Sequence, residues 1–232
     1  MNVKREALKR AFPYTIPVFI GFTFLGIAYG ILMNSKGYGF GWVVLTSLLA
    51  FAGSAQYVAI NYFTSAFNPM DVLILTLMIN ARHIFYGISM LEKYSATGKF
   101  KPYLIFGLCD ETFSIVCSID PPDGIDRKWF MFFITLLNHS YWVIGSAIGG
   151  LIGCMIAFNT TGLDFVLTAL FVVIFIEQWL TQVEHKPALI GVISSFICLI
   201  VFGRSSFIIP SMITILASLT LIKINPIEEV LQ

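Results

Sequence analysis

The chain has 232 residues, 57% of them hydrophobic and 12% charged, with a mean hydropathy of +0.85 and a formal net charge of +1. Soluble domains carry about 25% charged residues, so a water-soluble globule is excluded; without a basic field or a Lys/Arg block interleaved with aromatics, a nucleic-acid partner has nothing to hold. Cys109, Cys117, Cys154 and Cys198 form no CxxC pair and no Cys/His zinc spacing, and read as small packing residues.

Long uncharged windows locate a membrane. Twenty-five uncharged residues separate Arg10 from Lys36, 34 separate Lys36 from Asp71, and 35 separate Lys128 from Asp164; about 20 suffice for a helix to cross a bilayer. Eight hydrophobic segments are predicted, at 11–33, 41–63, 71–91, 102–119, 129–154, 164–182, 187–202 and 206–222. The short connections leave no room for a soluble domain, so residues 1–232 are expected to form one all-α polytopic permease domain of seven or eight helical segments. Residues 1–10 form a basic cytoplasmic N-terminus and 224–232 a short tail. Segment 1 follows Lys4, Arg5, Lys9 and Arg10 and is too long for a secretory signal, so it reads as the first span.

Segment 2 has a small, polar centre, Ala52-Gly53-Ser54-Ala55-Gln56, the composition of irregular backbone lining a cavity. A plain helix packed through its small residues is the alternative. Charge bears on the choice. Lys93, Lys99 and Lys101 follow segment 3, while 64–70 holds neither Lys nor Arg, so both basic clusters are expected to face the cytoplasm. An even number of crossings then separates them. Three apolar segments do not fit unless one dips in and returns, and segment 2 is the candidate.

Segment 3 carries Asn80, Arg82, His83 and Tyr86 inside an apolar run, and its ten Leu, Ile, Val and Phe residues offer roughly −3 to −6 kcal/mol of insertion against about +3 for a central Arg. Segment 4 has eight such residues against Asp110 and Glu111, about −4 against roughly +5 to +7 kcal/mol. Alone it should not insert. Its acids must be paired, protonated or facing a watery cavity, and the nearest intramembrane cation in sequence is Arg82. An Arg82–Asp110 or Arg82–Glu111 pair is predicted. On a helix the two acids point about 100° apart, so one can pair while the other faces a pathway and exchanges protons, as a proton-coupled carrier requires. A static ion pair locking segments 3 and 4 is the plainer reading. His83 is placed to relay protons or simply to hydrogen-bond a neighbour.

In segment 5, Asn138, Tyr141 or Trp142, Gly145, Gly149 and Gly153 form a face with small residues every fourth position, repeating Gly26-xxx-Gly30 of segment 1, which implies tight helix contact. His139 and, in segment 6, Glu177 are further pathway candidates; an interhelical hydrogen bond is the alternative for each. Gly26–Gly30, Gln56 and Pro69 recur as Gly145–Gly149, Gln178 and Pro187 at an offset near 120. Segments 1–4 and 5–8 would then be two halves of one design, inverted if each crosses an odd number of times.

Ala52-Gly-Ser-Ala-Gln56, Asn80-Ala-Arg82-His83 with Tyr86, and Cys109-Asp110-Glu111-Thr-Phe113 together resemble the motif series of the AzlC-type branched-chain amino acid exporters, in order, spacing and chain length. The resemblance implies the large permease subunit of a two-component exporter in the prokaryotic cytoplasmic membrane. Valine, leucine, isoleucine or close analogues would be its substrates and a small hydrophobic AzlD-type protein its partner; no cofactor or metal is expected. Leu108-Cys109 stands where many relatives carry Leu-Thr. On this reading Gln56, Asn80, Arg82, His83, Asp110 and Glu111 line a substrate or proton pathway, with Gly53, Ser54, Tyr86, Asn138, His139 and Glu177 behind them. A zwitterion needs an acceptor for its ammonium, donors for its carboxylate and an apolar pocket, and these residues supply each kind. A channel or structural membrane subunit is the competing class. An intramembrane hydrolase built on Gly87-Ile-Ser89-Met and His139 has only a four-residue pattern behind it. No GxxxxGK[ST] loop for ATP is present.

Overall fold

The computed structural model describes residues 3–63, 69–80, 82–122, 124–155, 165, 168–169, 172, 175–176, 179–180, 185–203, 207, 210–211 and 213–221, and every element among them is helical. Contacts divide the chain into two units, Met1–Leu167 and Thr168–Gln232. In the first, two long helices, α1 (Val3–Ser35) and α8 (Arg127–Met155), are long and apolar enough to cross a membrane. Between them come α2 (Phe40–Leu49), α3 (Gly53–Phe63), α4 (Pro69–Asn80), α5 (Arg82–Ser95), a 3₁₀ turn at Gly98–Phe100, α6 (Lys101–Phe106) and α7 (Asp110–Ser118).

The Asp126 carboxylate starts α8 by accepting from the backbone N–H groups of Lys128 (2.9 Å) and Trp129 (3.4 Å), satisfying two of the donors a helix leaves free at its first turn. α1 and α8 then run side by side in parallel. The Lys4 ammonium sits 4.6 Å over the Trp129 ring, Thr15 Oγ1 lies 3.1 Å from the Tyr141 hydroxyl, and Asn34 donates to Cys154 Sγ at 2.9 Å. Partner numbers rise together along both helices, which only parallel helices allow. The seam is built on glycine, as predicted. A Cβ on Gly26 would stand 2.8 Å from Ser146 N, one on Gly145 2.9 Å from Thr23 O, and one on Gly30 or Gly149 would overlap the facing backbone outright. Lipid gives helices no hydrophobic reason to associate, so close backbone approach is what holds such a pair.

The parallel course corrects one expectation. If segments 1 and 5 correspond, halves 1–4 and 5–8 are not inverted, because their first helices point the same way; Gln178, part of the same echo, lies outside the described residues.

Segment 2 is broken at residues 50–52, as its small, polar centre foreshadowed. α2 starts level with Gly150, against which Phe40 and Val43 pack, and descends until Phe51 meets His139, with ring centroids 4.5 Å apart. α3 starts at Trp142 and turns back, its Tyr57 hydroxyl donating to Leu25 O at 2.7 Å and its ring meeting Tyr29. Segment 4 breaks too, at Gly107–Cys109, where the sequence reading placed one continuous segment. Phe100 packs on Trp129 and Phe132, Phe106 on His139; α7 then returns from Thr112, beside Asn138, toward Asp120, which lies 3.7 Å from Arg127. Six and nine helical residues extend about 9 and 14 Å, so neither half spans 30 Å of hydrocarbon. The physical cause is composition: Gly107 lets the break pack against α8, where a Cβ would overlap the Thr135 side chain, and the acids at 110 and 111 favour the positive end of a new helix.

α4 ends and α5 begins beside the start of α3, since Arg82 reaches Ser54. From there α5 runs to Lys93, beside Asp120 and thus toward Arg127 at the start of α8, antiparallel to α1 and α8. Two hairpins thus enter from opposite ends of the unit and meet near its middle. Large apolar side chains cover the outside: Ile20, Phe24, Ile84, Ile88 and Leu91 are each more than 60% exposed, a surface suited to hydrocarbon rather than water.

In the second unit, α9 (Lys186–Phe202) begins with Pro187 at its first turn and ends at Gly203, whose φ of 72° suits glycine alone. Its buried Cys198 faces Thr214, Sγ to Oγ1 3.8 Å.

Candidate functional site

The polar centre lies where the two hairpin tips meet α5. Arg82 opens α5, Ser54 sits in the first turn of α3, and Asp110 opens α7. Arg82 Nη1 is 2.8 Å from Asp110 Oδ2, and Nη2 donates to Ser54 Oγ at 3.3 Å. The predicted ion pair therefore forms with Asp110. Glu111, one residue on and half-buried, occupies a different face of α7. The guanidinium fork serves both hairpins at once, a geometry Lys cannot reproduce. Two buried atoms of the pair have no hydrogen-bond partner among the described residues: Arg82 Nε, a donor, and Asp110 Oδ1, an acceptor. The free N–H groups at the starts of α3 and α7 add positive potential at the same place. Opposite charges with spare valences, facing two helix N-termini, are the chemistry that a small zwitterion would satisfy.

Around this pair the other sequence candidates divide. Gln56 is 4% exposed and clips the first break together: its Oε1 accepts from Ala52 N (3.2 Å) and from Trp142 Nε1 (3.0 Å), while Nε2 donates to Ser47 Oγ (3.4 Å). It satisfies backbone freed by the interruption. Gly53 lies against the Trp142 ring, where a Cβ would come within 3.2 Å. Asn138 donates to Thr112 Oγ1 at 3.1 Å, and its buried Oδ1 has no partner among the described residues; it ties the start of α7 to α8. Tyr86 stacks on Phe113 at 4.3 Å, one turn beyond the ion pair on both helices. Asn80 donates to Thr76 O in its own helix (3.0 Å), and His83 Nδ1 lies 3.2 Å from Asn80 O with its ring edge toward Tyr86. His139 sits 3.1 Å from the Tyr103 hydroxyl, between Phe51 and Phe106, the residues beside the two breaks. Glu177 lies outside the described residues. Ser89, weighed as a nucleophile, is exposed and donates to Phe85 O at 3.0 Å, an ordinary bond back along the helix.

Three contributors escaped the sequence reading. Lys93 caps α7, donating to Val116 O (3.1 Å) and Cys117 O (2.7 Å) and lying 3.6 Å from Asp120; a cation at a helix C-terminus satisfies its last carbonyls. Its place eleven residues after Arg82, three helical turns on the same face, was the available signal. Phe51 takes a φ of 39°, a left-handed conformation that costs a bulky residue of order 1–3 kcal/mol, held by packing on Phe22, Phe106 and His139; nothing local in the sequence marks it. Thr112, fully buried, joins Cys109 Sγ (3.2 Å) to Asn138, so Cys109 keeps a partner despite lacking a hydroxyl.

An apolar exterior around helical hairpins with a charged centre is an architecture suited to a membrane protein. Residues 17–156 match the family model described as AzlC protein, a stretch that holds the whole ion-pair site. The chain is similar to the branched-chain amino acid transport protein AzlC of Bacillus subtilis (strain 168), with 57% identity over 223 residues, 96% of this chain and 87% of that one. It is 46% identical over 232 residues to an uncharacterized membrane protein of Haemophilus influenzae, covering 100% and 95% of the two chains. It is 38% identical over 218 residues to one of Helicobacter pylori (strain ATCC 700392 / 26695), covering 94% and 96%. No solved structure matches the chain. The chain belongs to the AzlC family.

Proposed function

We propose that this protein is a secondary transporter that exports branched-chain amino acids, valine, leucine, isoleucine or close analogues, across a prokaryotic cytoplasmic membrane. It acts as one multi-pass permease domain, the large subunit beside a small hydrophobic AzlD-type protein, and draws on the proton gradient. The reading rests on the Arg82–Asp110 pair at 2.8 Å, with a spare donor and a spare acceptor, at the meeting point of two hairpin tips. Asp110 receives the substrate ammonium. Arg82 and the N–H groups opening α3 and α7 receive its carboxylate. Glu111 carries the proton, with His83 and His139 as relays, and Gln56, Asn80, Tyr86 and Asn138 shape the route around them.

The same reading assigns sides. The N-terminus, 92–101 and 119–128 share one end of the first unit, through Lys4 on Trp129, Phe100 on Trp129 and Lys93 beside Asp120, and this basic end faces the cytoplasm. α1, α4 with α5, and α8 cross; α2–α3 dips in from outside and α6–α7 from inside. Identity with a named branched-chain amino acid transport protein supports the substrate class.

The test is efflux from cells loaded with a valine- or leucine-containing dipeptide, expressing the chain with and without an adjacent small hydrophobic gene product. Saturable export that collapses with the proton gradient is expected. Efflux equal to a vector control, with both proteins present in the membrane, would refute it.

A further inference from the structure

A cavity of about 360 Å³ lies between α5 and α6. Neither Arg82 nor Asp110 lines it, and it meets the ion-pair site only at its inner end, through His83. Its walls are apolar, with Met90, Ile105 and Leu108 among them, and it follows α5 from His83 to Tyr94, about 16 Å of helix. Gly87 widens it midway: a Cβ there would meet nothing within 4 Å. One flank carries Ile84, Ile88 and Leu91, each more than 60% exposed, so the groove opens on the apolar exterior. Its other end is polar. Lys101, the first residue of α6, lines it and pairs with no carboxylate among the described residues. Tyr94, in the last turn of α5, closes this end with a ring that is 2% exposed.

We propose that this groove holds one acyl chain of an anionic phospholipid, with the headgroup on Lys101. The assignment rests on the membrane orientation given above. Lys101 lies at the end that gathers Lys93, Lys99, Arg127 and Lys128, the end turned to the leaflet where anionic lipids concentrate, and basic pockets between spanning helices on that side bind such headgroups. A narrow apolar slot, open sideways and about as long as an acyl chain, fits a lipid tail better than a compact amino acid. Nothing in the slot would have to move to admit it.

The experiment is native mass spectrometry of the full chain released from detergent, with phosphatidylglycerol and phosphatidylcholine of matched chains offered separately. Phosphatidylglycerol should be retained about fivefold more tightly, the contribution of one lysine at an anionic surface. Lys101→Gln should abolish the difference and Lys101→Arg keep it. Gly87→Leu, whose Cβ enters open space and whose longer side chain extends into the groove, should lower retention of both lipids. Equal retention of the two lipids by the unaltered chain, or retention untouched by Gly87→Leu, overturns the proposal. The dipeptide efflux assay is independent of this measurement: export without selective lipid retention sinks the lipid site alone, and selective retention without export sinks the transport reading alone.

Discussion

The seam between α1 and α8 makes the sharpest stability prediction, because one helix carries both the test and its control. Alanine at Gly30 or Gly149 would place a carbon inside the backbone of the facing helix, at Ser146 and Ile27 respectively; at Gly26 the nearest atoms would be 2.8–3.0 Å away. Ordinary carbon contacts sit near 3.5–4.0 Å, so the helices must part by roughly 0.5 Å at Gly26 and by more at Gly30 and Gly149, and a gap of 0.5–1 Å forfeits about a quarter to a half of each dispersion contact along the seam. Overpacking of this kind costs about 1–3 kcal/mol. Against it stands the gain of roughly 1 kcal/mol that alanine brings over glycine in a helix. Gly21, on the same helix, has nothing within 4 Å of its would-be Cβ, so Gly21→Ala keeps the gain and suffers no clash. The gain is common to both kinds of variant, so they should differ by the clash alone, about 1–3 kcal/mol, or roughly 2–12 °C in thermal midpoint for a chain of this size. Size-exclusion of the detergent-solubilised protein after a temperature series measures it. If Gly30→Ala and Gly149→Ala melt no lower than Gly21→Ala, the helices do not approach as closely as described.

Three further perturbations probe the centre. Arg82→Gln should abolish amino-acid efflux, whereas exchanging the partners, Arg82→Asp with Asp110→Arg, should restore assembly without restoring efflux; recovery of both would reduce the pair to a static lock. Gln56→Ala leaves the Trp142 indole N–H and the Ala52 N–H unsatisfied and should cost about 1–3 kcal/mol of thermal stability per lost partner, while Gln56→Glu, which keeps an acceptor, should lose less; equal melting of the two variants would count against the clip. Lys93→Ala should lower the thermal midpoint and Lys93→Arg should not. A midpoint unmoved by Lys93→Ala would mean that the ammonium does not hold the end of α7.

Much of the centre was legible because membrane insertion penalises charge so heavily. Eight apolar residues cannot carry Asp110 and Glu111 into hydrocarbon, so a partner had to exist, and Arg82 was the nearest candidate; the pair follows from that free-energy deficit. The glycines at every fourth position likewise announced the α1–α8 seam. The course of the backbone was harder. Counting basic residues required one returning segment, and segment 2 has the composition for it; but segment 4 returns as well, and the same counting extends to it, since Lys93, Lys99 and Lys101 precede it and Arg127 and Lys128 follow it. The inversion was conditional on an odd number of crossings in each half, and that condition depended on segment 4 running through as one span; with segments 2 and 4 both broken, the first half is left with an even number and its inversion does not follow. Phe51 was invisible because its left-handed backbone is imposed by three ring contacts from distant segments.

Seen from α5, these features form one mechanical arrangement. Arg82 grips the tips of both hairpins at its start, through Ser54 and Asp110, and Lys93, three turns later, grips the far end of α7. α7 is thus held at both ends by α5, whereas α3 touches it through one hydrogen bond of 3.3 Å between a charged group and a hydroxyl, far weaker than a charged pair at 2.8 Å. A substrate that took over Arg82 with its own carboxylate would therefore free the outer hairpin first, while Lys93 still held the inner one. Ser54→Ala should accordingly ease opening toward the outside and leave the inner face unchanged. Cysteine labelling separates the cases, with probes placed at Ala55 on α3 and Ser114 on α7. Faster modification at Ala55 alone from the outside is expected in the Ser54→Ala background, and a parallel rise at Ser114 from the inside would show that the two hairpins move as one body.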